Sequence, residues 1–81
     1  MKASRDILMT AARRTGWLPR VREDLLIFKR PDGGQVTVWL DASGRVRFAE
    51  WRNDGGTGGQ IHGGTPAIVA ALNFHRPRST W

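Results

Sequence analysis

Trp39, Arg45, Arg47 and Trp51 are the residues of this chain whose types and spacing could do chemistry. Gln35 to Leu40 reads Gln-Val-Thr-Val-Trp-Leu, and Arg45 to Trp51 reads Arg-Val-Arg-Phe-Ala-Glu-Trp. Alternate side chains of a strand point to opposite faces. Strict alternation puts Val36, Val38, Leu40, Val46 and Phe48 on one apolar face. It puts Gln35, Thr37, Trp39, Arg45, Arg47 and Trp51 on the other. Arginine donates to phosphate oxygens and guanine edges, and an indole ring stacks a base. That combination points to nucleic-acid binding, DNA or RNA, without a catalytic step. The preceding run adds Leu25 and Ile27 to the same face. Those apolar residues also suit a homodimer or another protein partner.

Two other clusters have residue types that could form sites. Asp54 to Gln60 and His62 to Thr65 are glycine-rich and precede a helix, so they could form a backbone nest for an anion. They lack the Gly-Lys-Ser/Thr of a P-loop and the dinucleotide-binding glycine pattern. The expectation is a flexible linker and no cofactor. His62 with Asp54 is the one conceivable acid–base pair, and no third group orients it. His75 at a helix end reads as a cation facing the helix dipole. Two histidines, no cysteine and no carboxylate at ligand spacing give no metal site. No catalytic residue is assigned.

The elements that must position the sheet face follow from local patterns. Ser4 to Thr15 is a predicted helix, with Ser4 as cap, Asp6 in the first turn, and Ile7, Leu8, Ala11 and Ala12 as its apolar stripe. Gly16 supplies a left-handed stop. Trp17 to Arg22 contains Pro19, which forbids a central strand and leaves a lead-in segment or an edge. Leu25 to Arg30 is a strand, Pro31-Asp32-Gly33-Gly34 a turn, and Asp41-Ala42-Ser43-Gly44 a second turn. Asn53 to Gly64 reads as a loop. Thr65 as cap and Pro66 at the first helical position open a second helix through Phe74. The predicted fold is α+β in the order α-β-β-β-α. It is a three-stranded antiparallel meander with both helices on one face. Residues 76–81 form a tail expected to be mobile, whose Arg76 and Arg78 add to the basic surface.

Composition bounds the partners. The 81 residues make one domain with a modest core. The net charge is +6, and only two of the 13 basic residues are lysine. An arginine bias with abundant glycine suggests a GC-rich coding genome. A basic balance favours anionic partners. The absence of cysteine, of a signal-like start and of any bilayer-length apolar run leads to the expectation of a cytoplasmic protein without membrane contact. A short, basic, cysteine-free chain also suits a small phage or mobile-element accessory protein directed at a host partner.

The sequence resembles the HicA-type toxins, which share the double-stranded-RNA-binding fold. The resemblance rests on Gly16-Trp17, Phe28-Lys29-Arg30-Pro31-Asp32-Gly33-Gly34, Val36-Thr37-Val38 and Gly64-Thr65, over most of the chain. It implies the helix–meander–helix layout. The family's catalytic histidine falls on the strand before the turn, where this chain has Leu25 and Leu26, so the resemblance does not carry ribonuclease activity over. The lysines that open the last helix of double-stranded-RNA-binding domains are also absent here.

Overall fold

Three hairpin turns of this chain are built in one way. In the computed structural model, which describes residues 4–75, Arg30 donates its N–H to the Gly34 carbonyl (2.7 Å) and accepts from Gly33 N (3.1 Å). Asp41 does the same with Arg45 and Gly44, and Asn53 with Thr57 and Gly56. Gly33, Gly44 and Gly56 have φ of 102°, 85° and 82°. A three-residue hairpin loop needs this left-handed glycine at its close. Side-chain oxygens hold the turns from within. Asp41 Oδ1 accepts from Ser43 N (2.9 Å) and Arg45 N (3.0 Å), and Asn53 Oδ1 accepts from Thr57 N (3.1 Å).

These turns join β2 (Leu25–Lys29), β3 (Gln35–Leu40), β4 (Val46–Arg52) and β5 (Gly58–Gln60). β1 (Leu18–Arg22) precedes them through a tight turn at Glu23, whose φ is +38°. The sheet is antiparallel throughout, in the order β1-β2-β3-β4-β5. The predicted three-stranded meander is its centre. Pro19 lies in the outer strand β1, where its missing N–H breaks no inner ladder. β5 stands where the sequence predicts a loop, because its Gly-Gly-Gln has no apolar pattern; the Asn53 turn folds it back onto β4.

α1 (Ser4–Arg14) and α2 (Gly64–Phe74) complete the α+β architecture. α1 stops as expected at Gly16, φ 86°, with Trp17 N donating to Ala12 O (2.9 Å). α2 starts differently from the prediction. Gly63 precedes it, no side chain caps it, and the Thr65 hydroxyl instead donates to Ser4 Oγ (3.1 Å). The buried cluster takes Leu8 and Ala12 from α1 and Ile68 and Leu72 from α2. It adds Trp17, and from the sheet Leu26, Phe28, Val36, Val38, Leu40 and Ala49. Trp17 Nε1 donates to Leu72 O (2.9 Å), which satisfies a buried donor and ties the start of the sheet to the last helix. The expected mobile tail, residues 76–81, lies outside the described residues.

The alternation expected for β4 does not hold. Trp39 pairs with Phe48, but Leu40 pairs with Val46, so Arg47 is an extra residue in the ladder. A bulge of one residue inverts the parity of everything beyond it. Val46 still faces the core. Phe48 faces away from it, beside Trp39. Ala49 is buried opposite Val38, and Trp51 lies opposite Val36 on the helix side. The expectations that Phe48 belongs to the core and Trp51 to the basic face are both corrected by this register.

Candidate nucleic-acid interface

The register places side chains of the open face in three rows. Arg22, Leu25, Trp39 and Phe48 form one row, with Arg47 bulging beside it. Arg20, Ile27, Thr37, Glu50 and Gln60 form the central row. Leu18, Lys29, Gln35 and Arg52 form the third, ending at Gly58. Leu25, Ile27, Trp39 and Phe48 are half-buried and make an apolar centre. Arg20, Arg22, Lys29, Arg47 and Arg52 are exposed around it. Glu50 is the one carboxylate in the rows, 3.6 Å from Arg52 Nε. Trp39 and Phe48 touch with ring centroids 5.1 Å apart and planes tilted at 54°. Thr37 is only 6% exposed, and its hydroxyl accepts from Gln35 Nε2 (2.9 Å).

Two depressions flank this aromatic pair. One, about 570 Å³, is lined by Arg22, Glu23, Asp24, Leu25, Trp39, Leu40 and Arg47. The other, about 380 Å³, is lined by Phe48, Glu50, Arg52 and the glycines of the β4–β5 hairpin with Gln60. Both volumes fall in the range of small-ligand sites, roughly 300–1,000 Å³.

The four sequence-assigned residues do not all meet. Trp39 and Arg47 line the first depression together. Arg45 stands outside β4 at the end of its hairpin, exposed and next to Asp41. Hydrogen bonds from Ser43 and from Arg45 N, with the Arg45 charge, hold the Asp41 carboxyl below the usual carboxylate range. Trp51 stacks on His75, with centroids 4.6 Å apart and planes 24° apart, and sits on the other side of the sheet. Sequence reasoning missed Arg20, Arg22, Lys29, Phe48 and Arg52. Arg20 and Arg22 carried a signal: they alternate about Val21, the period of a strand. Phe48 and Arg52 carried none, since only the bulge turns them outward.

The other candidate groups lie apart from this face. The Asp54 side chain lies against Gly33 of the β2–β3 turn, whereas His62 lines a cleft with Trp51, Phe74 and His75. The conceivable pairing of His62 with Asp54 is therefore not formed. His75 closes α2 but is not its cation. Burial, then the Arg30 charge, holds its ring below the ordinary histidine range, so it is neutral near pH 7. Arg30 takes that position instead, donating from Nη1 to His75 O (3.0 Å) with its guanidinium carbon 5.5 Å from the Trp17 ring centre. Its Nε lies 2.9 Å from Asp32 Oδ1 as an ion pair, though the N–H is not aimed at the carboxylate and forms no hydrogen bond. A side chain at Gly34 would meet this guanidine, which would have to shift to admit it. Among the described residues, no group of three metal-ligating side chains converges and no helix is long and apolar enough to cross a membrane.

No family model, no curated protein and no solved structure matches the chain.

Proposed function

We propose that this protein binds nucleic acid, without catalysis, through the open face of its sheet. The carrying observation is the ring of five exposed cations, Arg20, Arg22, Lys29, Arg47 and Arg52, around the part-exposed pair Trp39 and Phe48. Charge of that density draws phosphate, and the rings offer bases a stacking surface. Arg45 extends the set at the hairpin end. Trp51, assigned to this site by alternation, is left out of it because it lies on the helix side. Leu25 and Leu26 occupy the positions where the HicA-type toxins carry their histidine, and the reading includes no nuclease step.

The test is a titration of labelled single- and double-stranded DNA and RNA across a salt series. Three phosphate contacts would give a log–log slope of roughly −2 to −3. Replacing Arg22 and Arg47 together by Gln should flatten it by about two units if both touch phosphate. No binding tighter than about 100 micromolar at low salt, the weak end of non-specific affinity, overturns the reading.

A second reading has one observation in its favour. Leu25, Ile27, Trp39 and Phe48 are contiguous and apolar, which also suits a protein partner, a second copy of the chain or a host protein met by a phage or mobile-element product. Light scattering decides the self-association form. A protein monomeric at high micromolar concentration excludes it, and a dimer broken by Ile27→Glu establishes it.

A further inference from the structure

Resting on the nucleic-acid reading, we infer that the ligand is an unstacked single strand, two neighbouring bases of which seat on Trp39 and Phe48, one in each flanking depression. Duplex is disfavoured on two grounds. The first is width. Five strands at the usual spacing span about 19 Å, and the major groove of B-DNA is about 12 Å wide, room for a two-stranded ribbon. This five-stranded face cannot lie in that groove. The second is the position of the rings. Trp39 and Phe48 sit side by side on β3 and β4 in the first row, between the two depressions, and neither stacks flat on the other. The faces of paired bases are stacked inside a duplex, which could use these rings only by unstacking a base step, whereas a single strand offers its bases without that cost.

The polar groups sort in the same way. Glu23 and Asp24 line the Trp39 depression between Arg22 and Arg47, and Glu50 and Gln60 line the Phe48 depression beside Arg52. Carboxylates repel phosphate but accept hydrogen bonds from base amino groups. The bases therefore enter the depressions. The backbone follows the exposed cations, Arg22 and Arg47 at the rim of the Trp39 depression and Arg20, Lys29 and Arg52 across the other two rows. The rings and cations contact nothing that differs between ribose and deoxyribose, and the strand can be either.

The experiment uses the intact protein and four 12-nucleotide probes in each sugar series. These are a homopyrimidine strand, its duplex, a fully abasic strand of equal charge, and an abasic strand bearing two adjacent pyrimidines. The intact strand should bind at least tenfold more tightly than the abasic strand or the duplex. The two-base strand should recover most of that tenfold, and Trp39→Ala or Phe48→Ala should lose it with the salt slope unchanged. Abasic strand or duplex binding as tightly as the intact strand overturns the inference and leaves charge-driven nucleic-acid binding standing. No binding of any probe overturns both. Because the probe comparison is made on the unaltered protein, it holds even where a tryptophan variant fails to fold.

Discussion

The two faces of this sheet are made from similar residues and differ in what surrounds them. On the helix side, Phe28, Val36, Val38 and Ala49 are fully or almost fully buried with Leu8, Ile68 and Leu72. On the open side, Leu25, Ile27, Trp39 and Phe48 form a comparable apolar centre, ringed by arginine and lysine in place of helices. The difference lies at the margin. An apolar stripe closed by other apolar residues is a core, whereas one rimmed by exposed cations keeps solvent access.

A pair of aspartates gives the sharpest way to break that comparison. Val38→Asp would strand a charge in the core and cost about 4 kcal/mol or more, enough to unfold a domain of this size. Phe48→Asp, ten residues on, should cost only about 1 kcal/mol, chiefly the lost contact with Trp39. Circular dichroism melts of the two variants check this. Loss of fold in Phe48→Asp would mean the bulge is absent and Phe48 faces the core.

Next in size is Trp17→Phe. It leaves the buried Leu72 carbonyl without its donor, at about 2 kcal/mol, while changing nothing on the open face. Urea denaturation should show the loss, and nucleic-acid affinity should stay at the wild-type value. A smaller effect is expected from deleting Arg47. Val46 and Phe48 would then become regular neighbours opposite Leu40 and Trp39, and the ladder would close without its extra residue. The deletion should keep stability within about 1 kcal/mol and remove one cation from the Trp39 depression. A deletion that unfolds the chain would show that the bulge's bend is needed for packing.

The smallest effect is a pH dependence confined to the helix side. His75 has its folded pKa depressed by burial and by Arg30, so the folded state holds its proton less firmly than the unfolded chain. Its contribution is fully present above the unfolded value, about 6.5, and is lost as pH falls through the folded value. The urea midpoint should drop between pH 7.5 and 5, and His75→Gln should reduce the drop. An unchanged drop in that variant would place the titration elsewhere.

Much of the fold could be read from local chemistry. Gly33 and Gly44 marked their turns, the alternation of β3 matched its burial, and Gly16 ended α1. The site was half legible. Trp39 and Arg47 stand where alternation put them, but Phe48 and Trp51 exchange faces because a single unpaired residue shifts the period. Nothing in Arg-Val-Arg-Phe-Ala-Glu-Trp marks the slip, since the alternative registers bury Phe48 or Ala49 and both residues are apolar. The choice is made by what packs across the sheet, which is not local information. The third hairpin was different. Asn53-Asp54-Gly55-Gly56 repeats the logic of the two recognised turns, and β5 was missed for want of side chains rather than of a turn.

The bond from Trp17 to Leu72 has a consequence for the order of events in folding. The five strands pair only with sequence neighbours, so the meander can zip up through short closures. Trp17 and Leu72 are 55 positions apart, and bringing such ends together costs about 2 kcal/mol more chain entropy than closing a turn of about six residues. Docking of α2 is then expected after the rate-limiting barrier. Stopped-flow measurements should find Trp17→Phe unfolding faster with its folding rate nearly unchanged, while Gly44→Ala, which strains a hairpin, should slow folding. The clasp between the start of the sheet and the last helix therefore governs the lifetime of the native state rather than the speed at which it is reached.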